Sequence, residues 1–268
     1  MCLLIFLNYA IIIIGGDNMK ALITGASSGI GYEMAKYMSS LGYDLILVAR
    51  NVEKLEYLKD TLSTKVRIIA IDLADEKKIK ELFIATRGEE IDVLINNAGF
   101  GVFGAFATTE LSKEINMIDV NVKAVHILTK LYVKEMKQRN KGYILNVASS
   151  AAFQPGPLMA TYYATKAYVL RLSEAINEEL RKSKSNVQVS CLCPGPVDTN
   201  FNNVAGVKFA VKPLTSEYVA RYAIDQMFKR KMVIVPGTKF KLARFFGKFL
   251  SDRRIMKTVY KIQMKKDK

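Results

Sequence analysis

A single histidine, His126, occurs in the 268 residues, and only three cysteines accompany it. One imidazole makes a histidine-rich metal site impossible and leaves little room for a Ser-His-Asp triad. His126 falls inside a helical pattern and reads as a packing or surface residue, so no metal is expected. Cys2, Cys191 and Cys193 offer no disulfide framework and suit a reducing, cytoplasmic compartment. Cys191 and Cys193 stand two apart in QVSCLCPG. On a strand they share a face, and the apolar context makes them core residues rather than a redox pair. A long apolar run is also missing. Residues 3–14 are apolar but fall short of the roughly 20 residues that a membrane-spanning helix needs. They also lack the basic start and small-residue cleavage site of a signal peptide.

Acidic residues are scarce in one region only. Residues 208–268 hold 17 basic and 4 acidic side chains, whereas the first 207 hold 23 and 21. A nearly neutral body with a basic tail excludes a nucleic-acid-binding body and assigns any interest in anionic surfaces to the C-terminus. Residues 1–18 resemble nothing after them. Gly15-Gly16-Asp17 is encodable by a purine-rich stretch like a bacterial ribosome-binding site just before Met19. The expectation is a translated leader with the natural start at Met19; a short membrane anchor is the alternative.

From Met19 onward, apolar strand patterns alternate with helical ones. Strands are predicted at residues 20–24, 44–49, 66–71, 92–95, 143–147, 187–192 and 231–236, with a long helix over 115–138. Strands apolar on both faces, separated by helices, predict a parallel sheet wrapped on both sides. No repeat, low-complexity tract or linker interrupts it. One α/β domain of Rossmann-like, doubly wound type with about seven strands is expected over residues 19–237, followed by a basic extension over 238–268.

Two features carry chemistry. The first strand runs into TGASSGIG, where Gly25 permits a tight turn, Gly29 admits the phosphates and Gly31 lets helix and strand approach. Further on, Tyr162 and Lys166 are four apart in a helical stretch and therefore share a face. An ammonium beside a phenol stabilises the phenolate, bringing proton exchange closer to neutral pH than a reference value of about 10 allows. A carbonyl reductase or alcohol dehydrogenase needs that acid. A surface tyrosine and lysine would show the same spacing, so the rest of the chain must decide.

With the glycine turn, NNAG at residues 96–99 and YxxxK at Tyr162 in this order, the chain resembles the short-chain dehydrogenase/reductase family over about residues 19–237. The resemblance implies a catalytic set of Asn121, Ser149, Tyr162 and Lys166. Asn121 would hold a water linking Lys166 to solvent, and Ser149, rather than its neighbour Ser150, would hydrogen-bond the substrate oxygen. Tyr162 would be the acid in reduction and the base in oxidation. Lys166 would lower the tyrosine's pKa and hold the nicotinamide ribose. For the cofactor it implies Gly25, Ser27, Ser28, Gly29, Ile30 and Gly31 in the turn, Asp72 at the adenine, and Asn97, Ala98 and Gly99 along the dinucleotide. Pro194, Gly195, Val197 and Thr199 would hold the carboxamide. Homodimers or homotetramers are the implied assembly.

Independent chemistry supports these roles, since two hydroxyl donors converging on a carbonyl oxygen stabilise the charge that hydride delivery creates there. At the end of the second strand an acid would favour NAD(H), but the chain has Ala49-Arg50-Asn51. Arg50, assisted by Ser27, suits a 2′-phosphate, so NADP(H) is expected ahead of NAD(H). Phe100, Phe103, Phe106, Phe153, Met159, Phe201 and Val204 suggest an apolar cavity for a ketone, aldehyde or alcohol. Reduction is the expected direction where an NADPH pool drives it. Epimerase or dehydratase chemistry and an NADPH-binding scaffold without turnover are the alternatives. In the tail, Phe240, Leu242, Phe245, Phe246, Phe249 and Leu250 lie among Lys and Arg. Such helices meet anionic membranes, pack against another subunit, or fold back on their own domain.

Overall fold

The computed structural model describes residues 19–199, 201, 213–247 and 249–264. The reading of residues 1–18 and the assignment of Val204 to the cavity lie outside them. Period-two alternation decides the sheet. In β1 (Lys20–Thr24), Ala21 and Ile23 enter one core layer and Leu22 the other. β2 (Asp44–Ala49) divides Leu45 and Leu47 from Ile46 and Val48 in the same way. After β3 (Val66–Ala70), β4 (Ile91–Asn96) divides Val93 and Ile95 from Leu94. Strands buried on both faces need helices on both faces. Met34 and Met38 of α1 (Gly29–Ser40) and Leu55 and Leu58 of α2 (Val52–Asp60) close one layer. Ile79 and Leu82 of α3 (Glu76–Thr86) help close the other.

The chain continues through α4 (Leu111–Ile118), α5 (Val125–Gln138), β5 (Tyr143–Val147), α6 (Ala160–Lys182) and β6 (Gln188–Leu192). Next come the short strands β7 (Val197–Asp198) and β8 (Leu214–Thr215), then α7 (Ser216–Phe228) and β9 (Val233–Ile234). Seven parallel strands form one doubly wound sheet in the order β3-β2-β1-β4-β5-β6-β9, as expected. β2 and β3 lie to one side of β1 and β4 to the other. That reversal opens a crevice at the carboxyl ends of β1 and β4.

Two details differ from the sequence reading. The long helix starts at Leu111, and residues Asp119–Ala124 form a π-helical segment between α4 and α5. One extra residue in a helical run leaves the apolar pattern looking helical, so periodicity does not reveal it. β7 and β8 pair only with each other, and β9 is reduced to two residues. The tail forms two helices, α8 (Thr238–Gly247) and α9 (Asp252–Met264). Among the described residues, no helix is long and apolar enough to cross a membrane.

Candidate active site

β1 ends in the buried Thr24, which ties the crevice together. Its hydroxyl accepts from the backbone N–H of Asn97 at 3.0 Å and of Ala98 at 3.1 Å, and donates to the Ile95 carbonyl. The Asn97 amide returns the tie, donating to the carbonyls of Thr24 and Gly25, each at 3.1 Å. The backbones are so close that a Cβ on Gly31 would stand 2.3 Å from Asn97 Nδ2 and 2.4 Å from the Gly25 carbonyl oxygen. Gly25 and Gly29 hold φ of +66° and +58°, a region open to glycine.

The turn leads into a helix whose first N–H groups stay open. α2, α3 and α7 are capped by the side chains of Asn51, Asp75 and Thr215, whereas Ser28 makes no side-chain cap on α1. Ser28 is exposed, and Ser27, Gly29 and Ile30 are half-buried beside it. Unclaimed N–H groups at the positive end of a helix, approached across glycine, fit a pyrophosphate. Thr199 stands over this turn, its Cγ2 3.0 Å from where a Cβ on Gly29 would lie. Arg50 is exposed just past the end of β2, while Asn51 is occupied in capping α2. Asp72, just past β3, is exposed and accepts from the Ala74 N–H at 3.0 Å.

Farther along the crevice, the π segment carries Asn121 fully inside the protein. Asn121 Oδ1 accepts from the Phe100 N–H at 3.1 Å, and Nδ2 donates to the Phe100 carbonyl at 2.9 Å and to Thr165 Oγ1 at 3.2 Å. The water-holding side chain expected there is therefore engaged by the backbone of Phe100 and by α6. The next residue of α6, Lys166, donates to the Val147 carbonyl at the end of β5 at 2.9 Å. A Cβ on Gly99 would meet Asn121 Oδ1 at 2.9 Å and Lys166 Nζ at 3.1 Å, so Gly99 leaves this corner open. Lys166 Nζ lies 5.9 Å from the centre of the Tyr162 ring, and the Ser149 hydroxyl, which accepts from the Ala151 N–H at 3.2 Å, stands on the phenol side of Tyr162 and favours its phenolate. Ser150, by contrast, uses its N–H on the Pro194 carbonyl at 2.7 Å. The four residues expected to act together do converge, from the π segment, the end of β5 and one face of α6.

Electrostatics depart from the simplest expectation. Burial pushes the Tyr162 phenol up to about 12, and the nearby Ser149 hydroxyl only partly offsets it. Burial also pushes Lys166 down to about 8. Desolvation disfavours both charged forms, so in this arrangement the lysine does not bring the tyrosine below its ordinary value.

Around Tyr162 the wall is apolar. Met117, Ala151 and Met159 are buried with it, and Phe100, Val102, Phe103, Tyr163 and Phe201 pack against them. The Phe201 ring sits 5.4 Å from that of Tyr162. Two residues assigned to the cavity belong elsewhere. Phe106 is 70% exposed, and Phe153 packs in a separate cluster with Cys191, Cys193 and Phe240. Both cysteines are fully buried with Sγ atoms 3.9 Å apart. His126 bonds the Tyr168 hydroxyl at 2.7 Å on an exposed face. Val197 is buried, and Pro194 and Gly195 form the turn after β6. Thr24 and Thr165 were missed by the sequence reading, although a hydroxyl closing the apolar strand KALIT was a visible signal.

A parallel sheet with an open helix N-terminus at its reversal point defines a dinucleotide-binding α/β protein. The sequence profile of the family described as short chain dehydrogenase matches residues 19–209. The chain belongs to that family of oxidoreductases. Among relatives, mouse 17-beta-hydroxysteroid dehydrogenase type 3 is 34% identical over 185 residues, which is 67% of this chain and 60% of that protein. A short-chain dehydrogenase from Sphingobium yanoikuyae in complex with NADPH superposes with a TM-score of 0.79 at 30% identity, covering 86% of this chain and 92% of that one. A Burkholderia phymatum relative in complex with NAD gives 0.78 at 25% identity, covering 85% and 92%.

The lysine shift has a pH signature. Lys166 near 8 in the native state, against an ordinary 10.5, binds its proton more weakly when folded. The unfolded chain then holds more protons between those values, so this residue's contribution to stability rises as pH climbs through them. Tyr162 opposes this only above its unfolded value of about 10. Relative to Lys166→Met, the wild-type chain should gain about 2 kcal/mol between pH 7 and pH 10 in urea unfolding. A difference between the two that is flat in pH would contradict the desolvated ammonium.

Proposed function

We propose that this protein is an NADP(H)-dependent oxidoreductase that interconverts a carbonyl and an alcohol on an apolar small molecule, with reduction favoured. The observation that carries the reading is the buried Tyr162 phenol with the Lys166 ammonium 5.9 Å from its ring and the Ser149 hydroxyl near it. A reduced nicotinamide held in this crevice would supply hydride to the carbonyl carbon. Tyr162 gives its proton to the carbonyl oxygen, and Ser149 donates a hydrogen bond to the same oxygen as negative charge gathers there. Lys166 then stands beside the phenolate that Tyr162 becomes, favouring the charged form that burial otherwise penalises. Asn121 fixes the loop carrying Gly99 and Phe100, and the Val147 carbonyl holds Lys166. The turn 25–31, Asp72, residues 97–99 and residues 194–199 are assigned to the dinucleotide.

Arg50 supports NADP(H). It stands exposed at the end of β2, no acid accompanies it in Ala49-Arg50-Asn51, and the Asn51 side chain is already engaged. The cluster around Phe100, Phe103, Met159 and Phe201 supports an apolar substrate. An exposed stripe of Leu111, Ile115 and Ile118 along α4 supports association with copies of the same chain. Light scattering that reports a monomer would refute that association.

The assay is NADPH oxidation across apolar ketones, aldehydes and steroids. Tyr162→Phe should lower kcat by about 10²- to 10⁴-fold with the fold intact. Arg50→Glu should shift the kcat/KM preference toward NADH by roughly ten-fold or more. Equal wild-type efficiency with NADH would refute the cofactor preference, and turnover undiminished in Tyr162→Phe would refute the mechanism.

The tail supports contact with an anionic lipid surface. Phe245, Phe246, Phe249 and Leu250 are at least half exposed, with the exposed Lys239, Lys241, Arg253 and Arg254 around them. Phe245→Ser, Phe246→Ser and Phe249→Ser combined should abolish co-sedimentation with phosphatidylserine vesicles. Unchanged co-sedimentation, or none by the wild-type chain, would discard the contact.

A further inference from the structure

The basic extension divides into an outer and an inner face. Phe240 of α8 is half-buried, and its ring lies flat on Gly195. A Cβ added at Gly195 would come within 2.3 Å of Phe240 Cζ and 2.5 Å of its Cε1 and Cε2. The ring joins the buried cluster of Ala148, Ala152, Cys191 and Cys193, which backs the ends of β5 and β6. One turn along α8, the Arg244 guanidinium covers the Phe153 ring at 4.7 Å from its centre. Phe153 ends the 3-10 turn Ser150–Phe153, which begins immediately after Ser149. The two segments that α8 touches are also tied to each other, through Ser150 N–H to the Pro194 carbonyl and Ala148 N–H to the Leu192 carbonyl. On α9, Gln263 is 1% exposed and donates to the Tyr163 hydroxyl at 2.8 Å, beside Tyr162.

We infer that α8 is a positioning element of the dinucleotide site: Phe240, with Arg244, holds the Pro194–Gly195 turn and the Ser149 segment at the separation a bound nicotinamide requires. The inference rests on the dinucleotide reading above and adds a dependence on residues outside the part of the chain matched by the family profile, which ends at residue 209. The physics is steric. Gly195 has no side chain with which to fix its own turn, and the turn projects beyond the last paired residue of β6. A rigid ring laid on the glycine removes the freedom that the missing Cβ leaves. The 4.7 Å cation–π contact adds a second point of restraint, on the neighbouring segment.

Binding of NADPH, followed by its fluorescence, tests this without any substrate. Phe240→Ala should weaken NADPH binding by roughly ten-fold or more, since small displacements of a positioning shell are felt at the ligand. Phe240→Leu should restore most of the affinity, and Arg244→Met should weaken binding by about three-fold. Leu242→Ala, an exposed change on the same helix, should leave affinity and Tm unaltered. Gly195→Ala drives a methyl group into the ring, so it should weaken binding in the wild-type background and less so when combined with Phe240→Ala. The inference is overturned if folded Phe240→Ala chains bind NADPH as the wild type does while Arg244→Met is also silent. It is equally overturned if the losses of Gly195→Ala and Phe240→Ala simply multiply. A wild-type chain that binds neither NADPH nor NADH defeats the dinucleotide reading itself, an outcome seen before any variant is compared.

Discussion

The Asn121 carboxamide, bonded on both sides to the backbone of Phe100, is the contact on which the site's geometry depends. Its two bonds at 3.1 and 2.9 Å fasten the loop leaving β4 to the π segment, and the third reaches α6 through Thr165. Remove that tie and the loop bearing Asn97 to Phe100 loses its anchor on the substrate side, keeping only the Thr24 latch on the other. A buried carboxamide with both ends satisfied resists displacement, because leaving either end unpaired costs about 1–3 kcal/mol. Lys166 is fixed by a different neighbour, the Val147 carbonyl, so the corner is held from β4, β5 and α6 together.

The sheet behind the site has a polar seam of its own. Asn96 and Asn146 are register partners on β4 and β5, and their side chains bond each other at 2.8 Å. Thr129 of α5 and Ser173 of α6 complete the seam. These bonds bring the two strand ends and the two helices into one alignment, and apolar packing alone specifies such an alignment less sharply. The same burial that stiffens the site raises the intrinsic cost of charge within it. Lys166 and Tyr162 are both shifted toward neutrality, so ionisation of the pair is favoured only as far as a negative phenolate and a positive ammonium compensate each other.

Much of this was legible in the sequence, for reasons that differ from element to element. Strands with apolar residues on both faces specify helices on both faces, so the parallel sheet followed from patterning. The glycine turn was legible because Gly25 and Gly31 have steric reasons to lack a side chain. Convergence of Ser149, Tyr162 and Lys166 was expected from spacing and resemblance together, since spacing alone relates only residues on one helix. Asn121 was named from the resemblance, but its place on a π segment was not, because one added residue barely disturbs a helical hydrophobic pattern. The sign of the tyrosine's shift was missed because it depends on burial, which a sequence does not display. In the tail, composition marked every phenylalanine alike. Only the fold separates Phe240, laid on a glycine, from Phe245, which faces outward.

The π segment also sets a constraint of length. An α-helical residue turns the chain by about 100°, and a π insertion absorbs one residue without passing that rotation on. Met117 before the segment is buried in the cluster around Tyr162, and Leu128, Tyr132 and Met136 after it are buried in one layer of the sheet's core. Deleting one residue between Asp119 and Ala124 would let the run close into ordinary α-helix with both flanks still seated, yet the bulge that places Asn121 would be lost. In this stretch the number of residues matters more than the identity of most of them, and a variant one residue shorter is a different protein in a way that a variant with several surface substitutions is not.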